Sequence, residues 1–147
     1  MVDAVVAASR ALVGVAARSL AGLEEEVTLG QYRALVVLCA RGPLGVAQLA
    51  EQLAVNPSTV TRLLDRLVAK GLARRQRTSR DRRCVRVRAS AAGAALVREV
   101  TARRRAEIGR IVAAMPARSH AGLVDALTQF ARAAGEVPDQ HWAWGWQ

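Results

Sequence analysis

Asn56-Pro-Ser-Thr-Val-Thr-Arg-Leu-Leu-Asp-Arg-Leu-Val-Ala-Lys-Gly-Leu72 decides how this chain reads. Asn56 stands where a helix N-cap belongs. Pro57 suits the first helical position, where its missing N–H costs nothing. Val60, Leu63, Leu64, Leu67 and Val68 then recur at three- and four-residue steps, which gives one apolar face. Lys70 fits the last turn, and Gly71 fits the left-handed residue that ends it. The opposite face carries Ser58, Thr59, Thr61, Arg62, Asp65 and Arg66. Just upstream, Val46–Leu53 reads as a short helix with Val46, Leu49, Ala50 and Leu53 on one side, and Ala54-Val55 as a tight turn. Two short helices joined in this way form a helix-turn-helix.

Downstream of Gly71 the period shortens. Leu72–Arg77 and Cys84–Arg88 read as extended runs, the second alternating Val85 and Val87 with Arg86 and Arg88, around a polar tip at Thr78–Arg83. A helix-turn-helix followed by a basic β-hairpin is a winged helix. Upstream, Thr28-Leu-Gly-Gln31 is a capping box that opens a helix with Leu35, Val36 and Leu38 inward, stopped before Gly42-Pro43. An earlier helix carries a stripe of Val5, Val6, Ser9, Leu12, Val13, Ala16, Leu20 and Leu23. Ser90 caps a long helix with Leu96, Val97, Val100, Ile108, Ile111 and Val112 apolar. A last helix carries Leu123, Val124, Leu127, Phe130, Ala131 and Ala134, before a tail with Trp142, Trp144 and Trp146. The expected fold is mostly α: a winged helix-turn-helix at 28–89, a Trp-rich tail at 138–147, and terminal helices at 1–27 and 90–137 whose long Ala/Val/Leu stripes a small domain cannot fully cover alone, so that they are expected to be dimerisation helices. The whole chain, 1–147, reads as a single domain.

The chain has 147 residues, of which 52% are apolar but only 3% aromatic, so the core must be Ala, Val and Leu. Its net charge of +10 is unevenly placed: the stretch from Ser58 to Arg88 carries eleven basic residues against Asp65 and Asp81, and the rest of the chain is close to neutral. A solvated surface spreads its charges, so a cluster of this kind points to a polyanion, which it attracts by steering and counterion release. Arg supplies all the basic residues but Lys70. Codon bias accounts for Arg over Lys, but not for confinement to one segment.

The stretch from Asn56 to Leu72 resembles the recognition-helix region of the MarR (multiple antibiotic resistance regulator) family. Asp81-Arg-Arg83 followed by Val85, Val87, Ser90 and Gly93 resembles that family's wing signature, and Thr28–Leu35 its second helix. Ala89-Ser90 stands where the family often has Leu-Thr, and the Trp tail has no evident counterpart. The resemblance implies a homodimeric winged-helix transcription factor, probing a pseudo-palindromic double-stranded operator with one helix per subunit in the major groove. A repressor is the favoured form. The resemblance also implies release by a small, often aromatic or anionic, effector held between the dimer helices and the DNA-binding lobe. A sequence-indifferent architectural protein that binds and bends DNA through its arginines is the alternative.

For the recognition helix, Pro57 and Ser58 sit where free N–H groups meet a phosphate. Thr59 and Thr61 can reach a thymine methyl or a phosphate. Arg62 suits the bidentate fork to guanine O6 and N7, and Arg66 continues the same face. The plainer reading makes Ser58 and Thr59 cap helpers and leaves Arg66 on a solvated face beside Asp65. The resemblance gives Asp81 the task of orienting Arg83, and places Arg83 or Arg82 in the minor groove. The plainer reading there is an ion pair within the hairpin.

Cys39, at the end of an apolar helix, reads as a small buried hydrophobe. Cys84, flanked by Arg83 and Arg86, has the more reactive setting. His120 and His141 lack partners at ligand spacing, so no metal or other cofactor is expected. Phosphate loops, H-E-x-x-H and G-x-S-x-G are all missing, which argues against an enzyme. Asp3 and the internal Arg10 argue against a secretory leader, and the uncharged run Ala11–Ala17 is too short to span a bilayer. A cytoplasmic protein is the expectation.

Overall fold

The computed structural model describes residues 1–23, 26–77 and 85–135. Among these residues, six helices and one pair of strands run in the order α1 (Val2–Leu20), α2 (Leu29–Arg41), α3 (Val46–Leu53), α4 (Pro57–Ala69), β1 (Ala73–Arg77), β2 (Val85–Ala89), α5 (Ala91–Ala113) and α6 (His120–Ala133), with a 3-10 turn at Ala117–Ser119. The expected order therefore holds, and α3 matches its expected bounds. β1 starts one residue later than the sequence suggests, because Leu72 packs into the core before the hairpin begins, and β2 runs one residue further, to Ala89.

Local chemistry sets most of these boundaries. Thr28 Oγ1 accepts the Gln31 N–H at 3.2 Å and Gln31 Oε1 accepts the Thr28 N–H at 3.1 Å, so the capping box is complete. At the other end of α2, Gly42 adopts φ 77°, a conformation open to glycine, and Pro43 prevents the helix from continuing. Gly71, at φ 70°, ends α4 as expected. Asn56 does occupy the N-cap of α4, but its side chain makes no capping bond. Its carbonyl instead receives the Thr59 and Val60 N–H groups at 3.0 and 3.2 Å.

One core joins α2, α3, α4 and the root of the hairpin to the first half of α5. Leu35, Leu38, Leu49, Val60, Leu64, Leu67, Val87, Val97 and Val100 are all fully buried in it. Val36 and Leu63 are only half-buried at its edge, and Val85, which alternates with the arginines as Val87 does, is exposed. β1 and β2 pair antiparallel with Ala73 opposite Ala89 and Arg75 opposite Val87. Leu44 adds a third rung, exchanging both backbone hydrogen bonds with Val87 at 3.0 and 2.8 Å.

The terminal helices behave differently. In α1 only Val15 and Ser19 are buried, whereas Val5, Val6, Leu12 and Val13 of the expected stripe are exposed. α6 buries nothing within this chain and exposes Val124, Leu127 and Phe130, and Ile111 of α5 is exposed as well. Among the described residues, no helix is long and apolar enough to cross a membrane.

The junction between the two parts is a close backbone approach. Ser90 Oγ donates to the Gly71 carbonyl at 2.6 Å and accepts the Gly93 N–H at 3.0 Å, while the Ser90 N–H reaches the Leu72 carbonyl at 3.0 Å. Gly93 lies so near that a methyl group there would overlap the Leu72 carbonyl oxygen and press on Leu35 Cδ2 at 3.1 Å. Gly93→Ala is accordingly expected to cost about 1–3 kcal/mol or more, the range for overpacking. Gly109→Ala in the same helix meets no atom within 4 Å. It should stabilise by about 0.5–1 kcal/mol through helix propensity. Paired urea melts of the two variants check both signs.

Candidate nucleic-acid interface

α3 and α4 are set by a two-residue turn in which Ala54 takes the left-handed conformation, φ 53° and ψ 45°. The Val55 N–H then bonds the Ala50 carbonyl at 3.1 Å. This turn lays α4 across the core with Val60, Leu64 and Leu67 beneath it. Pro57, Ser58, Thr59, Thr61, Arg62 and Arg66 are all exposed, on the side expected from the sequence. At the start of α4 there is no side-chain cap, Pro57 has no N–H, and the Thr59 and Val60 N–H groups are taken by the Asn56 carbonyl, which leaves the Ser58 N–H for an anionic partner.

Two of these side chains are anchored on the helix itself. Thr61 Oγ1 donates to the Pro57 carbonyl at 3.0 Å, and Arg62 Nε lies 3.4 Å from the Ser58 carbonyl. Thr59, Arg62 and Arg66 also border a shallow cleft shared with Thr28 and Gln31 at the start of α2. The α2 N-terminus therefore belongs to the same surface, an extension that sequence reading missed. The capping box marks this helix end in the sequence, but not its neighbour in space.

Two further contacts fix how α4 sits against its surroundings. Asp65 forms an ion pair with Arg75 of β1, tying the helix to the hairpin rather than to Arg66. Lys70 Nζ donates to the Glu26 carbonyl and holds the end of α4 to the segment before α2. On the hairpin, Arg74 is directly opposite Arg88, and Gln76 is opposite Arg86. Like charges facing across a strand pair are destabilising. The outer face of the hairpin is thus a concentration of positive charge not neutralised by its cross-strand neighbours. The Asp81, Arg82 and Arg83 expectations fall on the hairpin tip, outside the described residues, as do Cys84 and the three tryptophans.

Cys39 departs from its expected burial and is exposed near the end of α2. Desolvation by the atoms packed around it still pushes the thiol above its ordinary range, with Arg98 pulling the other way. Among the described residues, no group of three or more His, Cys, Asp or Glu is placed to hold a metal ion.

A helix-turn-helix with an outward polar-and-basic second helix, flanked by an arginine-bearing hairpin, defines the winged-helix class. Residues 27–85 match the MarR family. RV1404 from Mycobacterium tuberculosis is 42% identical, with a TM-score of 0.87 over 93% of each chain. The HTH-type transcriptional repressor MdtR of Bacillus subtilis (strain 168) is 36% identical over 87 residues, 59% of this chain and 56% of that repressor. The match therefore spans little more than half of that repressor's length. A mutant of S. aureus MepR bound to oligodeoxyribonucleotide shares the fold at 23% identity and a TM-score of 0.66, over 86% of this chain and 91% of that one. The chain belongs to the MarR family, a family of transcriptional regulators and not of enzymes.

If the outward face of α4 serves binding and its inward face serves folding, their substitutions separate cleanly. Leu64→Ala should cost about 2–5 kcal/mol in urea denaturation, as for other buried leucines. Arg62→Ala and Arg66→Ala should stay within about 0.5 kcal/mol of the parent, as surface changes do.

Proposed function

We propose that the protein is a homodimeric, sequence-specific DNA-binding regulator that represses transcription by occupying a pseudo-palindromic operator. The observation that carries this reading is the face of α4. Thr61, Arg62 and Arg66 stand in solvent beside the positive hairpin, and every large apolar residue of the helix turns away. Arg62 reads a guanine edge, and Ser58 and Thr59 hold phosphate. Arg83, oriented by Asp81, or its neighbour Arg82 enters the minor groove, where a narrow A/T tract concentrates negative potential. The repressor MdtR and the oligodeoxyribonucleotide-bound MepR support DNA as the partner.

Dimerisation is part of the same proposal. Phe130 is 56% exposed, Leu127 51% and Val124 67%, while Val6 and Leu12 on α1 are 47% and 51% exposed. An apolar surface of this extent marks an interaction site, and a twofold pair is the commonest way to cover it. The terminal segments 1–27 and 90–137 then form the dimer base, and the two α4 helices address half-sites about one helical turn apart. The protein acts in the cytoplasm, where its DNA is.

Relief of repression falls to a small aromatic or anionic effector in a cleft of about 650 Å³ between α2 and α5. Tyr32 and Arg104 line it, with the guanidinium carbon 5.2 Å from the ring centroid. Arg104 Nε is buried without a hydrogen-bond partner among the described residues, which suits a ligand that brings an acceptor. The effector must favour a spacing of the two heads that misfits DNA, because equal affinity for both states shifts nothing.

Selection of bound genomic fragments followed by titration tests the central point. The selected site should bind roughly 10³-fold or more tighter than random duplex at one salt concentration. Equal affinities would replace this reading with the architectural one. Arg62→Ala should cost about 1–3 kcal/mol and relax preference at one base pair, whereas Arg83→Ala should weaken binding with less change in major-groove preference. Leu127→Glu with Phe130→Glu should sediment as a monomer and lose the tight complex.

A further inference from the structure

The cleft beside Tyr32 has an end of its own chain at its rim. Ala134 and Gly135, which follow α6, line it together with Arg33 and Val36 of α2 and Arg104, Arg105 and Ile108 of α5. Gly135, at φ 72°, turns the chain out of the helix at that point. Twelve residues follow it, 136–147, outside the described ones.

Charge and side-chain type match the cleft to that segment. The lining holds three arginines and no carboxylate, and no ion pair among the described residues uses Arg33, Arg104 or Arg105. Arg104 Nε is also buried without a hydrogen-bond partner among the described residues, and such a group calls for an acceptor. In a chain of net charge +10, residues 136–147 contain Glu136 and Asp139 but neither Lys nor Arg. They also contain Trp142, Trp144 and Trp146, which are all the tryptophan of the sequence. The Arg104 guanidinium already lies over the Tyr32 ring, 5.2 Å from its centroid. A planar guanidinium has a second face, which an indole can cover by the same cation–π attraction.

Reach and tethering favour the same occupant. From Gly135 to Trp142 is seven residues, about 23–25 Å when fully extended, so the first indole can turn back into the cleft whose rim the chain leaves. A short tether also holds its end near the site at an effective concentration of about 1 mM, so that even a weak contact is mostly made.

We propose that residues 136–147 dock in this cleft of their own chain, with an indole on the second face of Arg104 and with Glu136 and Asp139 against Arg33 and Arg105. The cleft then has a resident occupant, and anything else that uses it must first displace the tail. Docking stands whether or not an effector binds there, and its failure leaves the effector reading where it was.

Because all the tryptophan is in the tail, tryptophan emission reports on the tail alone. The full chain is compared with a free peptide of residues 136–147. With the effective concentration about tenfold above the dissociation constant of the site, about nine-tenths of the tails are docked, and acrylamide quenching should fall to about a third or less of the peptide's. Emission should also lie to the blue of the peptide's. Arg33→Glu with Arg105→Glu, at two exposed positions, should return quenching most of the way to the peptide's level, and so should Glu136→Lys with Asp139→Lys. All four changes in one chain reverse both sides and should restore most of the protection, which damage to the fold by either pair could not do. Subunit exchange between the two double variants should restore nothing, because each chain keeps a mismatched pair. Quenching equal to the peptide's, protection indifferent to either reversal, or no recovery in the fourfold variant would each overturn the proposal. Recovery on subunit exchange would overturn it too, by seating the tail on a partner subunit.

Discussion

The fold depends on a place where two backbones touch. Between Gly71 and Gly93 the chain leaves α4, makes the hairpin and returns, and its root is closed by Ser90. One hydroxyl serves both sides, donating to the Gly71 carbonyl and accepting from the Gly93 N–H. The absent side chain at Gly93 lets α5 lie directly on the Leu72 carbonyl. This contact makes one rigid unit of α4, the hairpin root and the first turns of the long helix.

The same arrangement explains why the molecule divides as it does. Up to Val100 the long helix is part of the core, and beyond it the residues of α5 are half-buried or exposed. The second half of α5 is steadied by α1, through Arg18 to Glu107 at 2.6 Å and Arg103 to the Ala21 carbonyl at 2.9 Å. Exposed ion pairs of this sort contribute little on their own, about 0–1 kcal/mol each. The base thus has a few polar struts and much uncovered apolar area. The lobe with α4 has a sealed core.

Much of this was legible in the sequence because it is locally encoded. Pro57 at a helix start, Gly71 at its end, Thr28 with Gln31, and Ser90 before Gly93 each act within a few residues. Helix and hairpin order followed from them. What was not legible depends on neighbours distant along the chain. The stripe from Val5 to Leu12 has helical period, yet its valines and leucine are exposed, and Val15 and Ser19 are buried instead. Val85 alternates correctly with Val87, but only Val87 reaches the core and Leu44. Cys39 sits in an apolar run that ends at the surface, so composition suggested burial that geometry denies. At the candidate interface the exposed residues of α4 followed from period alone. The Asp65–Arg75 tie and the closeness of Thr28 and Gln31 did not, since neither has a spacing signature.

The arginines that face one another across the hairpin, Arg74 and Arg88, give dissolved salt two opposed effects. In the free protein, mobile anions screen their mutual repulsion, so moderate ionic strength steadies the strand pair. If, as proposed, a polyanion lies along the same face, its own charges would do that screening, and added electrolyte would compete with it for the guanidinium groups. The strand pair would then be steadier on a phosphate chain than alone, and easing the repulsion between the two arginines would add to the attraction.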